Sequence, residues 1–307
     1  MRIAVVGAGG VGGGFGAALA KAGADVTFIA RGAHLAAMKR DGLKVQSPRG
    51  DTHLMPTQVT DNPAEIGTVD IVLFCVKLWD VESVGEAIKP LVGASTAVIP
   101  LQNGIDAAER LIPILGEKAV MGGVAQISAS IIAPGVIQQV GTFMRMVFGE
   151  LDGTRSKRAE EFLALCQKAG FDATLSDQIL TELWMKFILL ATNAGITAAT
   201  RQPIGKLRDD ADIRLVMTAA LGEVFAVGRA KGVALPDDAV AKILDFIGHA
   251  PPAMKASMAL DLDRGNRLEL PWLNGKVVEL GRQLGVPTPT HSMMYAMLKP
   301  YIMGTPA

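Results

Sequence analysis

Two groups of residues in this 307-residue chain could do chemistry. The first is Gly7-x-Gly9-x-x-Gly12, with Ala8, Gly10 and Val11 filling the spaces. It follows a short β-branched run at residues 2–6. It opens an alanine-rich helical pattern at 15–22, and a second strand pattern follows at 25–30. A glycine triplet alone says little; strand, turn, helix and strand around it give it meaning. Gly7 would permit the tight turn, Gly9 would let backbone approach a pyrophosphate, and Gly12 would let the helix pack close to the sheet. The start of that helix then offers free N–H groups to phosphates. The plainer alternative is a glycine-rich turn with no ligand.

Arg31 stands at the end of the second strand pattern. An NAD site places Asp or Glu there to accept from the ribose 2′-OH, whereas Arg suits a 2′-phosphate. The next acid is Asp41, too far along to serve. The expected cofactor is therefore NADP(H); the alternative is a solvated surface arginine.

The second group lies in the stretch from Glu182 to Thr197, which is apolar nearly all round and should form a buried helix. Lys186 sits in it. On a helical wheel Asn193 and Thr197 fall within about 20° of Lys186, one polar stripe on an oily helix. A buried lysine needs a carboxylate, an anionic ligand or a lowered pKa. The alternatives are that it snorkels to the surface or pairs with Glu182 one turn back. Glu269, just before a helix starting at or after Pro271, is a candidate partner; otherwise it favours the positive end of that helix. Ser257 is, taken alone, a plain helix-face serine.

The elements that must position these groups can be read along the chain. Residues 32–41 read as a helix with His34 near its start. Residues 43–59 read as a hairpin around Ser47-Pro48-Arg49-Gly50. The near-continuous apolar runs at 69–76 and 96–101 are how central parallel strands read. Helices at 81–91 and 105–115 alternate with them, and a strand follows at 120–127. Segments 135–140 and 144–150 should pair antiparallel, and 154–169 should be an outer helix. This is a doubly wound, Rossmann-type pattern, in which ligands sit beyond the carboxyl ends of the strands. Arg31, Lys77 and Asn103 all fall at such ends, as expected of cofactor contacts. Taken singly, Lys77 could be a solvated cation and Asn103 a turn former before Gly104.

From Asp177 onward no strand is expected. Helices are read at 179–200, 213–231, 237–247, 252–263, 273–284 and 292–302, broken by Pro and Gly. The expected fold is an α/β Rossmann-type domain over 1–176 followed by an all-α domain over 177–307.

Composition narrows the function classes. Thirty basic residues balance thirty acidic ones, so no global field draws in nucleic acid or an anionic membrane. Cys75 and Cys166 have no CxxC or metal spacing and read as two free, buried thiols in a reducing compartment. Four scattered histidines suggest no metal. The N-terminus reads as a strand rather than a signal peptide, and the uncharged stretch 119–144 as strands and turns rather than a membrane span. The expected location is cytoplasmic. Apolar C-terminal segments with Met293, Met294, Met297 and Met303 could form a homodimer face, though such residues are commonly plain core.

Taken together, these residues resemble the ketopantoate reductase (2-dehydropantoate 2-reductase) family over nearly the whole length. The marks are Gly7 to Gly12, Arg31, the Val-Lys ending at Lys77, Gln-Asn-Gly at Asn103, Glu-Leu-Trp-x-Lys at Lys186, and the spacing of Ser257 and Glu269. The resemblance implies NADPH on the glycine turn and reduction of a 2-oxo acid, most simply 2-dehydropantoate to pantoate in pantothenate biosynthesis. It implies Lys186 as proton donor to the ketone oxygen and Glu269 as its orienting partner or a holder of substrate or ribose. It also implies Asn103 near the nicotinamide and Ser257 on the substrate. A cation placed where negative charge develops favours the transition state over the ground state.

The chain departs from the family in its amides. The family usually has Asn four and eight residues after the lysine, where this chain has Leu190 and Ala194. Further amides are replaced at Met254 and near Ile204. Asn193 and Thr197 could substitute for part of the set. A less hydroxylated 2-oxo acid is therefore a second expectation, since lost partners for a substrate hydroxyl are costly. Two other readings remain open: an NADP-binding sensor without turnover, and a 3-hydroxy-acid dehydrogenase, which Arg31 disfavours.

Overall fold

A computed structural model of the chain describes residues 1–304. They form two compact units. One comprises Met1–Gln102 and Asp106–Ile179; the other comprises Asn103–Ile105 and the chain from Leu180 onward.

The first unit is α/β. Its elements run β1 (Arg2–Val6), α1 (Gly10–Lys21), β2 (Asp25–Ile29), α2 (Gly32–Asp41), β3 (Leu43–Gln46), β4 (Thr52–Leu54), β5 (Val59–Thr60), β6 (Ile71–Phe74), α3 (Val81–Ala87), β7 (Ala97–Pro100) and α4 (Ala107–Leu115). Then come β8 (Gly122–Ala133), β9 (Val136–Gly149), α5 (Lys157–Lys168) and β10 (Asp172–Leu175). Five strands in the order β5-β2-β1-β6-β7 make an all-parallel sheet. Every residue of β6 and β7 is buried, which is why these runs are apolar throughout rather than alternating.

A second, mixed sheet has the order β10-β9-β3-β4, with β8 antiparallel to β9. Helix α1 packs against both sheets, touching β1 and β2 on one side and β3, β4, β8 and β9 on the other. Its glycines follow from that squeeze. A Cβ on Gly13 would run into Ile137 and one on Gly16 into Phe28.

Three expectations for this unit are corrected. Segments 135–140 and 144–150 are one strand, β9, and its antiparallel partner is β8. The pairing steps from Ile127–Met144 to Ala129–Gln139, so residues 140–143 bulge out of the ladder and mimic a turn in the sequence. Strand β10, parallel to β9, was not anticipated; four residues are too few for alternation to stand out. Cys166 is buried, but Cys75 is only partly so; both are free, and burial pushes both thiol pKa values up.

The second unit is all-helical: α6 (Ile179–Thr200), α7 (Ile204–Arg208), α8 (Ala211–Ala230), α9 (Ala239–His249), α10 (Ser257–Asp263), α11 (Asn274–Leu284) and α12 (Pro289–Leu298). Helix α6 is long and apolar enough to span a bilayer by composition, yet much of it is buried here. Trp184, Phe187, Ile188 and Ala191 pack in one core with Leu221, Val224 and Val277. A buried polar joint locks neighbouring helices around it. The Glu223 carboxylate accepts from the amides of Thr290 (2.8 Å) and His291 (2.9 Å) at the start of α12. The His291 ring meets the Ala220 carbonyl, and the Asn274 amide bridges the ring to the Ala191 carbonyl. Burial lowers the His291 pKa to about 4 against the pull of Glu223.

The helix expected at 252–263 begins only at Ser257. The carbonyls of Pro252 and Met254 are already taken by the amides of Gly205 and Ile204, so they cannot start a helix of their own. That docking also explains α7, a short helix the sequence analysis missed. The helix expected at 292–302 starts at Pro289, which suits a first-turn position that needs no N–H.

Candidate active site

The glycine turn is built by steric exclusion. Gly7 leaves β1 with φ 96°, a region that favours glycine. Its amide and that of Ala8 both donate to the Ile29 carbonyl at the end of β2, at 3.1 and 3.2 Å. A Cβ on Gly12 would overlap the Gly7 carbonyl oxygen and press on Val5, so only glycine lets α1 lie this close to the sheet. A Cβ on Gly10 would collide with the Ala129 carbonyl. Gly9 differs: nothing lies within 4 Å of where its Cβ would be. It is the N-cap of α1, without a capping side chain and with no acidic residue in the first turn. A helix start with an uncapped positive end and open space beside it fits a pyrophosphate.

Arg31 is exposed and caps the start of α2, one residue after the buried Ala30. Lys77 is exposed three residues beyond β6, its ammonium 5.5 Å from the Trp79 ring centroid. Gln102 is buried and its amide donates to the Phe74 carbonyl at 3.0 Å, tying the ends of β6 and β7 together.

In the helical unit, Lys186 is half-buried on α6. Its Nζ donates to Oδ1 of Asn103 at 3.1 Å, and the segment Asn103–Ile105 belongs to this same unit. Glu269 is 5% exposed. Burial lowers the Lys186 pKa to about 8, and the negative charge of Glu269 works in the opposite direction. The balance matters: desolvation makes the proton easier to give up, and the carboxylate keeps it on at neutral pH. A lysine with a pKa near 8 is still mostly protonated at pH 7, by about tenfold. Such a group can donate a hydrogen bond to a developing oxyanion and then the proton itself.

Asn193 is 7% exposed, and its Oδ1 has no hydrogen-bond partner, an uncommon state for a buried amide. Thr197 shares the lysine's face but is fully buried, and its hydroxyl donates to the Asn193 carbonyl at 2.6 Å. Its hydroxyl proton is thus spent on its own helix, and only the oxygen lone pairs are left to accept a hydrogen bond. Ser257 is exposed at the first position of α10. Of the positions where family amides are absent, Ala194 and Ile204 are buried in the helical core, and Leu190 and Met254 pack against it.

Sequence analysis missed His34 beyond its place in a helix. The structure bonds its ring to two backbone groups, the Ala8 carbonyl and the Gly135 amide. Only the Arg31-x-x-His34 spacing, one turn on the same helix, hinted at it.

Comparison with known proteins now adds to this geometry. The family profile described as Ketopantoate reductase PanE/ApbA matches residues 3–153, and its C-terminal counterpart matches residues 178–301. An uncharacterized oxidoreductase of Bacillus subtilis, YkpB, is 30% identical over 98% of this chain and 99% of its own length. A 2-dehydropantoate 2-reductase of Mesorhizobium japonicum is 30% identical over 97% of each protein. A PanE/ApbA family ketopantoate reductase from Ralstonia eutropha JMP134 is 33% identical, with a TM-score of 0.90 and 98% of each chain covered. With both halves matched and whole-length relatives at this identity, the chain belongs to the ketopantoate reductase family of oxidoreductases.

Proposed function

We propose that this enzyme reduces a 2-oxo acid to the 2-hydroxy acid with NADPH. The observation that carries the reading is Lys186: a desolvated ammonium, hydrogen-bonded to Asn103 and held protonated by the charge of Glu269. Its Nζ would bond the ketone oxygen, stabilise the alkoxide as charge develops, and supply the proton that completes the alcohol. Glu269 would orient the lysine and set its pKa. Asn103 would fix the position of Nζ and contact the substrate side of the nicotinamide. Asn193 and Ser257 would supply the remaining polar contacts to the substrate.

The glycine turn from Gly7 to Gly12 would hold the pyrophosphate, Arg31 the 2′-phosphate, and Lys77 would add positive charge to the same site. The exposed, planar guanidinium of Arg31 suits a phosphate better than a ribose hydroxyl. Bound there, the dinucleotide supplies the hydride.

The substrate is 2-dehydropantoate or a related, less hydroxylated 2-oxo acid. The second option is favoured by Leu190, Ala194, Ile204 and Met254, which pack in or on the helical core and offer no side-chain amide. NADPH consumption against a panel of 2-oxo acids, ketopantoate among them, tests this. Turnover of unhydroxylated 2-oxo acids at least as fast as ketopantoate supports the apolar pocket, and strong preference for ketopantoate overturns it. Wild-type protein inert on the whole panel would overturn the activity itself and leave a dinucleotide sensor.

A further inference from the structure

We propose that His34 is a positioning residue for dinucleotide binding: it holds the peptide plane between Ala8 and Gly9 so that the Gly9 amide faces the pyrophosphate. This rests on the reading of the glycine turn as the dinucleotide site.

The ring stands between two backbone groups. Gly135 N–H donates to Nδ1 at 3.0 Å, and Nε2 lies 2.9 Å from the Ala8 carbonyl oxygen. An amide N–H can only donate, so Nδ1 must present its lone pair. The single proton of the neutral ring is then on Nε2, where it donates to Ala8. Burial, the larger influence, lowers the His34 pKa and favours this neutral form, while the Ala8 carbonyl pulls the other way.

The consequence follows from peptide geometry. In a planar trans peptide the carbonyl and the next N–H point in opposite directions. Holding the Ala8 oxygen toward His34 therefore aims the Gly9 N–H away from it. Gly9 has no side chain to resist rotation of that peptide plane, and nothing lies within 4 Å of its Cβ position. Without an anchor the plane could turn over, and the turn would present a carbonyl oxygen to a phosphate instead of a donor. Ala8 is 3% exposed, so water is a poor substitute anchor.

The anchor is itself held on both sides. Its donor, Gly135, sits in the turn between β8 and β9 with φ 76°, and its carbonyl accepts from Lys44 at 2.9 Å. On the other side His34 lies one turn into α2, whose N-cap is Arg31. One imidazole thus ties the glycine turn to the helix that carries the proposed 2′-phosphate ligand.

The test is titration of NADPH and NADH, by nucleotide fluorescence, into wild type, His34→Ala and His34→Gln, with melting temperatures measured alongside. The expected result is about a tenfold weaker Kd in His34→Ala, which is about 1.4 kcal/mol. The loss should be equal for both dinucleotides, because the pyrophosphate is common to them. His34→Gln, whose amide can still donate to the Ala8 carbonyl, should recover most of it even if His34→Ala melts early. In turnover the same loss should appear in KM for NADPH, with KM for the 2-oxo acid unchanged. An unchanged Kd in His34→Ala overturns the proposal. So does a loss confined to NADPH, which would mean contact with the 2′-phosphate, or no recovery in His34→Gln. Wild type that binds neither dinucleotide overturns the underlying reading of the turn rather than the role of His34 within it.

Discussion

The glycine turn and the lysine cluster, proposed to hold charge of opposite sign, are built from opposite materials. The turn is almost all backbone. Its donors are the unsatisfied N–H groups at the start of α1, and its shape comes from positions where a Cβ has no room, as at Gly12, or where space is left open, as at Gly9. The cluster is all side chain. Lys186, Asn103 and Glu269 come from segments more than eighty residues apart, and the charge on one sets the protonation of another. Backbone sites tolerate little change in shape, and their own N–H groups do not titrate. Side-chain sites tolerate change in shape and are governed by pKa.

Substitutions in each region should therefore fail differently. The largest effect is expected for Lys186→Ala, which removes the proposed proton donor. Turnover should fall by about 10³-fold, within the range for loss of a general acid, with NADPH affinity unchanged. Stopped-flow turnover together with nucleotide titration checks both halves; full activity in this variant would remove Lys186 from the chemistry.

Gly12→Ala should do the reverse. The new Cβ has to displace the Gly7 carbonyl, and overpacking of this kind costs about 1–3 kcal/mol. Expected are a lower melting temperature and NADPH binding weaker by about ten- to a hundredfold, while the pH dependence of turnover stays as in wild type. Wild-type affinity and melting temperature would mean that the helix can shift at little cost.

Glu269→Gln should have the smallest effect on the fold and the most specific effect on rate. With Lys186 as the proposed proton donor, activity should be present below its pKa and be lost as pH rises through about 8. Glu269 raises that pKa; removing its charge lowers it, so the alkaline limb of kcat should move to lower pH. A limb that stays in place would show that Glu269 does not set the lysine's charge.

The contrast also explains what was readable in advance. Gly7, Gly9 and Gly12 were legible because their constraint is local: a strand end, a tight turn and a helix start within a dozen residues, each demanding a missing side chain. The buried strands and α6 were legible because burial on all sides leaves unbroken apolar runs. Strand β10 and helix α7 were not, since elements of four or five residues owe their form to the neighbours they dock on. The bulge at 140–143 reads as a turn in the sequence because its four residues lie unpaired within one continuous strand, whose pairing with β8 resumes on either side.

Amino-acid order was enough to establish a glycine turn between a strand and a helix, a cation at the end of the second strand and a lone lysine on an oily helix, because each is a matter of residue type and short spacing. It could not establish what that lysine would meet. That Asn103 packs with the helices, that Glu269 is buried with its charge felt at Nζ, and that Thr197 turns its hydroxyl inward are outcomes of three-dimensional packing. The role of His34 is of the same kind. Its donor comes from a turn a hundred residues away, and only the folded chain brings that amide to the ring.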